Sequence, residues 1–476
     1  MKRLLCLTLT LLMLMGLCAC SEKKPAATAT VEFQAGFGRV DITPNYSVPL
    51  AGYGNTTSRM SQGFLDYLYA TCIALKDAKG QTVLFVTADI ININDNTYKL
   101  CVEAISSATK VPKDHIIVSA THTHSAPDLI STHSSIVKYK TFFVESVTQA
   151  CIAAIKDLSA ASVSTGSLNT ESLTFVRHYL MNDGTYYGDN FGSTASGYKA
   201  HERDADEQMQ LIKFTRSGKD PIVMINWQAH AKVASTGSTQ EGKNGRSMMS
   251  ADYIGSMRNY VEKEAGCLVG FYLGAAGNLN PRSNMPEEQS KASSNVTEYG
   301  KQLGNVVLEG MKELKKVSVG PVVTKQTLYE AAIDHTEDDL VKYAQPVAQV
   351  WEQTNNYNQS KDEEHGVMSP YHALGIINRA NAAQSKEMQL NAISIGSVGF
   401  VTAPYEMFCQ NGQAIKEGSP FETTFVITCT NGHNAYIAAD SAFEYGSYEV
   451  HYRTFVRGTA EAVQAELIGM LNALQG

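Results

Sequence analysis

The segment Ile116–Asp128, IIVSATHTHSAPD, places His122 and His124 one residue apart where an apolar run ends. Ile116, Ile117 and Val118 have the β-branched composition of a buried strand, and the small polar residues after them close it. Side chains alternate faces along an extended chain, so continued extension would turn both imidazoles the same way. Two imidazoles sharing a face at a strand end are the start of a metal site; two histidines in a surface loop are the competing reading. A catalytic zinc needs three or four ligands from His, Asp and Glu, with a position left for water. His230, in VMINWQAHAKV, follows the same rule, since an apolar strand leads into a histidine among small residues. Glu406, in VGFVTAPYEMF, is a lone carboxylate directly after a strand with apolar neighbours. Isolated burial of that carboxylate is costly and a nearby cation relieves it; an ordinary glutamate at a helix start is the alternative. His201, His365 and His372 fall in polar segments and His335 among acidic residues, and all four read as solvated.

Strand-like and helix-like runs alternate around these residues. Strands are expected at QTVLFVTADI, ending near Asp89, and at HIIVSA, QLIKFTR, PIVMINWQA, CLVGFYLGAAGN and TFVITCTN. MQLNAISIG and VGFVTAP read as a hairpin. Helices are expected at NTYKLCVEAISSATK, SSIVKYKTFFVESVTQACIAAIKDL, SADYIGSMRNYVEKEAG with Ser250 as N-cap, VTEYGKQLGNVVLEGMKEL and GTAEAVQAELIGMLNAL. The β-α-β-α order predicts an α/β fold of mixed β-sheets flanked by helices, with part of the sheet parallel. Polar segments 182–207, 232–250, 282–296 and 354–370 are expected as surface loops, some of them rimming a site.

The chain has 476 residues, 43% hydrophobic and 18% charged, enough for a large core. Its net charge of −8 offers no basic surface for nucleic acid. The first twenty residues have a basic start, an apolar stretch and then Leu17-Cys18-Ala19-Cys20, the pattern of a bacterial lipobox. Residues 1–20 are therefore expected as a lipoprotein signal peptide with Cys20 acylated, 21–32 as a polar tether, and 33–476 as one catalytic domain. That arrangement anchors the protein to a membrane of the bacterial cell envelope through Cys20, with the domain outside the cytoplasm; a plain cleaved signal is the alternative. The six cysteines beyond the signal form no C-x-x-C pair and read as core thiols.

GFGRVDITP, SATHTHSAPD, NWQAHA, GAAGNLNP, APYEMF and NAYIAADSAFEYGSYEV occur in an order that resembles the catalytic domain of the neutral, non-lysosomal ceramidases. That family consists of zinc amidases cleaving the N-acyl bond of ceramide, and the resemblance runs from about Phe33 to about Tyr448. It implies a Zn2+ held by His122, His230, Glu406 and Tyr436, with His124 beside the metal as proton shuttle or substrate contact. It also implies a pocket lined by Arg177, with Tyr448 placed as a second family tyrosine. The family's immunoglobulin-like C-terminal domain is expected to be absent, because only a helix follows. One departure stands out. Where the family has G-D-x-S-P with a serine facing the metal, this chain reads Gly277-Asn278-Leu279-Asn280-Pro281. Asn280 has no usable lone pair on nitrogen for acylation, though it can hydrogen-bond a developing oxyanion. The expected activity is metal-activated water cleaving an N-acyl, ceramide-like lipid or small-molecule substrate. Asp89 is a candidate to orient a ligand histidine. The rivals are a zinc esterase or deacylase on a cell-wall or glycan substrate, and a non-catalytic binding lipoprotein.

Overall fold

The computed structural model describes residues 32–53, 59–187, 197–236, 245–281, 295–354 and 356–475. The signal peptide, Cys20 and nearly all of the tether lie outside the described residues, as do parts of the first three polar segments. Alternation within the strands decides the layers. In Thr82–Ala88 (β3), Leu84, Val86 and Ala88 enter one core while Val83 and Phe85 enter another. Ile116–Ala120 (β4) does the same with Ile116, Val118 and Ala120 against Ile117. Strands buried on both faces must be covered on both faces.

The remaining strands of this sheet are β1 (Gln34–Asp41), β2 (Tyr69–Lys76), β5 (Ser159–Asn169), β6 (Gln208–Arg216), β7 (Ile222–Trp227) and β8 (Leu268–Leu273). Their order is β8-β7-β6-β5-β1-β2-β3-β4, and Lys315–Val317 (β9) adds to β5. Only β3–β4 and β7–β8 are parallel; the other pairs along this order are antiparallel. Each parallel pair is spanned by a helix: α1 (Asp95–Thr109) between β3 and β4, and α3 (Asp252–Ala265) between β7 and β8. These two join α2 (Ser134–Lys156) and α4 (Val296–Gly310) in covering the outer face, where Tyr98, Tyr139, Tyr253 and Leu303 share one core.

The inner face meets a second sheet, β10 (Val322–Ala332), β11 (Ser385–Ile395), β12 (Val398–Thr402) and β13 (Thr423–Ile427), in that order. The β11–β12 hairpin is antiparallel and β12–β13 parallel, joined through α7 (Cys409–Gly418). Phe85 of the first sheet and Phe400 of the second meet with ring centres 4.7 Å apart. The far side of the second sheet packs on α7 and on α8 (Thr459–Asn472) through Ile415, Val463 and Leu467. The result is a four-layer α-β-β-α domain, as the mixed α/β expectation requires. Two helices outside that expectation, α5 (Val341–Thr354) and α6 (Pro370–Ala380), form a pair with its own small core of Ala344, Val347, Ala373 and Ile376.

Smaller expectations need correcting. Ser250 is not the N-cap of α3: Ala251 holds that position, and Ser250 Oγ accepts from Asp252 N at 2.9 Å. His372 is not solvated; it is 3% exposed in α6 and 3.2 Å from Glu337 Oε1. The segment 182–207 is not all loop, because Tyr186–Tyr187 and Tyr198–His201 both pair with Tyr179–Met181. All six cysteines beyond the signal are buried thiols. No described helix is long and apolar enough to cross a membrane.

Candidate active site

Parallel strands carry their carboxyl ends to one edge of a sheet, where loops can meet over a ligand. β4 ends at Ala120 and β7 at Trp227, and the loops that follow are tied by a bridge between Thr123 and Ala231. His124 N donates to Ala231 O at 2.8 Å. From the second sheet, the chain leaving β12 forms the short strand Glu406–Met407, paired in parallel with Tyr436–Ile437 beyond β13. The seam is sealed by Asn431, whose N donates to Val118 O and whose Oδ1 accepts from Val118 N. His122 is not extended as expected: its φ is 63°. A left-handed turn, not strand alternation, brings the imidazoles of His122 and His124 together, with their Nε2 atoms 3.4 Å apart. Of the eight non-glycine residues at positive φ among those described, four cluster here, namely His122, Cys429, Asn431 and Ala435. Such strain persists where surrounding packing over-determines it, as at ligand sites.

Hydrogen bonds fix the rings. His122 Nδ1 donates to Ile91 O at 2.9 Å, and His230 Nδ1 to Ala276 O and Leu279 O, each at 3.0 Å. With the protons held on Nδ1, both Nε2 lone pairs face inward, the orientation that metal-ligating histidines take. Glu406 Oε2 lies 3.1 Å from His122 Nε2 and 3.2 Å from His230 Nε2, and Tyr436 Oη is 3.1 Å from His230 Nε2. Glu406 Oε2 is buried with no hydrogen-bond donor of its own. Lone pairs gathered in this way repel unless a cation or a proton joins them. Four N and O ligands bound tetrahedrally at about 2.0–2.1 Å stand about 3.3 Å apart, close to these separations. The donor set fits a small divalent cation.

With a proton as the only relief, burial pushes His122 down but the Glu406 carboxylate carries it well above its ordinary range. Glu406 is in turn held well below its own range by His122, against its burial. Burial and the charge of Arg177 push His230 down to about 4. His124 differs from both ring partners, because its Nδ1 is buried without a partner. Burial, then the neighbouring imidazoles, holds it well below the ordinary histidine range. Its ring lies against Gly52, where a Cβ would come within 2.7 Å of it. Nitrogens of His122, His124 and His230 also lie within 4.8 Å of one another, so two overlapping ligand sets share His122 and His230. A cavity of about 770 Å³ opens over the cluster, lined by His122, His124, Glu406, Tyr436 and Tyr448 at its base and by α5 and α6 above.

Residues 33–289 match the family model described as neutral/alkaline non-lysosomal ceramidase, N-terminal. The chain belongs to this family. The neutral ceramidase of Drosophila pseudoobscura pseudoobscura is 24% identical over 264 residues, 54% of this chain and 34% of the relative. The matched span is thus about a third of the curated relative's length. Neutral ceramidase from Pseudomonas aeruginosa superposes with a TM-score of 0.68 at 16% identity, covering 93% of this chain and 74% of that one. A ceramidase complexed with C2 gives 0.69 at 15% identity, covering 94% and 75%. At these identities the structural likeness is one of fold. His122, His124 and His230 lie inside the ceramidase span, while Glu406, Tyr436 and Tyr448 lie beyond it.

The other residues suggested by the ceramidase resemblance fall in different places. Tyr448 lines the cavity edge-on to Tyr436, with ring centres 5.6 Å apart. Arg177 was expected to line the pocket; instead it is 2% exposed, with its guanidinium 5.4 Å from the centre of the Tyr436 ring. Its Nε donates to Glu449 Oε1 at 2.8 Å, and His178 Nε2 is 3.0 Å from Glu449 Oε2. Asn280 is fully buried on Leu279–Pro281, which pairs with Thr174–Val176, and neither atom of its side-chain amide has a partner. Asp89 does not orient a ligand: its Oδ2 accepts from Tyr69 N and Arg258 Nη2, each at 2.9 Å. Backbone carbonyls perform that task. Sequence reasoning missed Glu449 and His433. The available signal for Glu449 was its position directly after Tyr448.

Proposed function

We propose that this chain is a zinc hydrolase that cleaves the amide of an N-acyl, ceramide-like compound. The convergence of His122, His230, Glu406 and Tyr436 within 3.1–3.2 Å, with the Tyr436 hydroxyl as the one donor among three acceptors, carries the reading. Those four side chains would hold the metal; the unpartnered Nδ1 of His124 separates it from the ligands and suits it to proton transfer. When bound, zinc supplies a water of pKa about 7 and a Lewis acid for the scissile carbonyl. His124 accepts a proton as water adds to the carbonyl and delivers one to the departing nitrogen as the C–N bond breaks. The Tyr448 hydroxyl donates toward the developing oxyanion. Arg177, with its guanidinium 5.4 Å from the centre of the Tyr436 ring, acts through that phenol by holding it in place as a would-be ligand. Asn280 excludes an acyl-enzyme on a serine at its position. The cavity volume falls within the range of sites that enclose drug-sized ligands.

Metal analysis alongside fatty-acid release from a panel of N-acyl amides and matched esters tests this reading. Stoichiometric zinc with amide turnover is the expected result. Ester turnover alone would move the assignment to the esterase class, and bound zinc without turnover on any substrate would leave a binding protein. The N-terminal sequence supports anchoring at Cys20 on the outer side of a bacterial membrane. Cys20→Ser should move the protein from the membrane to the soluble fraction, and unchanged membrane retention would refute the anchor.

A further inference from the structure

Glu449 follows Tyr448 directly and is buried, as are its two partners, Arg177 and His178. A buried ion pair adds little stability over apolar packing of the same volume; what it can supply instead is one fixed geometry. Arg177 Nε donates to Glu449 Oε1 at 2.8 Å and Nη2 to the same oxygen, while His178 Nε2 lies 3.0 Å from Oε2. Both partners stand on the frame that carries His230. Thr174–Val176 pairs with Leu279–Pro281, and Arg177 N donates to Asn278 O at 3.0 Å. His230 is tied to Leu279 O through its N and its Nδ1, each at 3.0 Å. The carboxylate itself belongs to the C-terminal segment that brings both phenols. It lies in the short helix Tyr448–His451, whose first residue lines the cavity. Tyr445, earlier in the same segment, adds a second tie, with its Oη 3.2 Å from His178 Nδ1. Tyr436 lies against both groups: the Arg177 guanidinium is 5.4 Å from its ring centre, and the Tyr448 ring is edge-on at 5.6 Å.

We propose that Glu449, together with His178, is a positioning residue that holds the two phenols, Tyr436 and Tyr448, in place against the imidazole-bearing half of the site. The proposal rests on the zinc amidase reading and adds to it a residue that touches neither metal nor substrate. The carboxylate is gripped from the His230 side, and the backbone it hangs from carries Tyr448 one residue away. A shift of Glu449 therefore moves the Tyr448 hydroxyl relative to the scissile carbonyl, where about 1 Å of misplacement can cost on the order of a hundredfold in rate. The same shift releases Arg177, and with it the ring of Tyr436. Groups that orient a ligand from behind are worth about tenfold to a hundredfold in metal affinity or activity. One carboxylate thus has two effects through two different phenols, and the two can be separated.

The experiment compares Glu449→Gln and His178→Ala with the parent protein. Zinc affinity is read by chelator competition, ligand geometry by the visible spectrum of the cobalt(II)-loaded protein, and kcat and KM on an N-acyl amide at saturating zinc. Each variant should weaken zinc by about tenfold, shift the cobalt bands, and lower kcat by about tenfold or more with KM little changed. The deciding step is a double-mutant cycle with Tyr448→Phe. Because Glu449 acts through that hydroxyl, Glu449→Gln should cost much less in kcat once the hydroxyl is gone. A merely structural carboxylate would cost the same in both backgrounds, so equal losses would overturn the proposal. Parental zinc affinity and kcat in both single variants would overturn it as well. His178→Ala leaves the Arg177 bridge in place, and the same cycle run with it decides the matter where Glu449→Gln does not fold. A parent protein that binds zinc but cleaves no amide would sink the amidase reading. Weakened zinc and altered cobalt spectra in the two variants would then still support the hold on Tyr436.

Discussion

Two buried polar clusters share the ring of Tyr436 and obey opposite rules. On one side, Arg177, Glu449 and His178 match donors to acceptors: the carboxylate takes a guanidinium on one oxygen and an imidazole on the other. Burial raises Glu449, but Arg177 and then His178 hold it below the usual carboxylate range. On the other side, His122, His230 and Glu406 bring lone pairs together, with the histidine protons already given to backbone carbonyls. The first cluster is complete as protein; the second needs a cation or a proton to join its acceptors. Buried charge by itself therefore does not mark a reactive site. An imbalance between donors and acceptors does.

The sharpest way to break this contrast is His122→Ala. It should abolish stoichiometric metal and turnover together. In the parent protein, zinc at a thousandfold excess over Kd should stabilise the fold by about 4 kcal/mol, and the variant should show no such gain in thermal denaturation. A variant that keeps its metal and its rate would remove His122 from the site.

Glu449→Ala tests the complementary half. It strands the Arg177 guanidinium in the interior and should cost about 3–5 kcal/mol in urea unfolding. Glu449→Gln, which retains one acceptor, should cost less. Equal and negligible losses in both variants would mean that the cluster is not load-sharing in the fold.

A smaller and more graded effect is expected at Glu337, which pairs with Arg379 and lies 3.2 Å from His372 and 3.1 Å from Arg453. Burial raises this carboxyl, but His372 and the two arginines pull it down to about 2. Its folded value therefore lies below the unfolded value of about 4.3, so its contribution is present above that pH and disappears as pH falls toward 2. Discounted for solvent screening at this half-buried site, the loss should be about 1–2 kcal/mol across pH 5 to 2. Glu337→Gln should flatten this part of the stability–pH curve, and parallel curves for the two proteins would exclude the pairing. Because α6 carries both His372 and part of the cavity's apolar wall, the same acid window should loosen that wall.

In the first sheet β3, β4, β6, β7 and β8 and the covering helices were legible in the sequence because their apolar runs are clearly bounded, whereas β1, β2, β5 and β9 were not expected, β5 and β9 being mostly small or polar residues. His122, His230 and Glu406 were legible for a related reason: each is an isolated polar group just beyond such a run. Tyr436 and Tyr448 were not, since a tyrosine near a strand end is usually an ordinary packing residue; only the family resemblance singled them out. The left-handed backbone of His122 left no mark in residue type. Asp89 misled because its partner, Arg258, lies 169 positions away on α3. Helix α5 escaped because Pro346 interrupts it and only Ala344 and Val347 are buried. His433 gave no apolar-run signal at all; its unpaired nitrogen is visible only once loops from three parts of the chain are assembled.

The side chains around Tyr436 come from both sheets, and this has a consequence for biogenesis. A nascent polypeptide released only as far as residue 289 would own the three imidazoles but neither the acid nor the phenol. On the proposed zinc-amidase reading, reactivity would switch on late, after the second sheet has docked, and an ion captured at that moment would act as a clasp between halves made at different times.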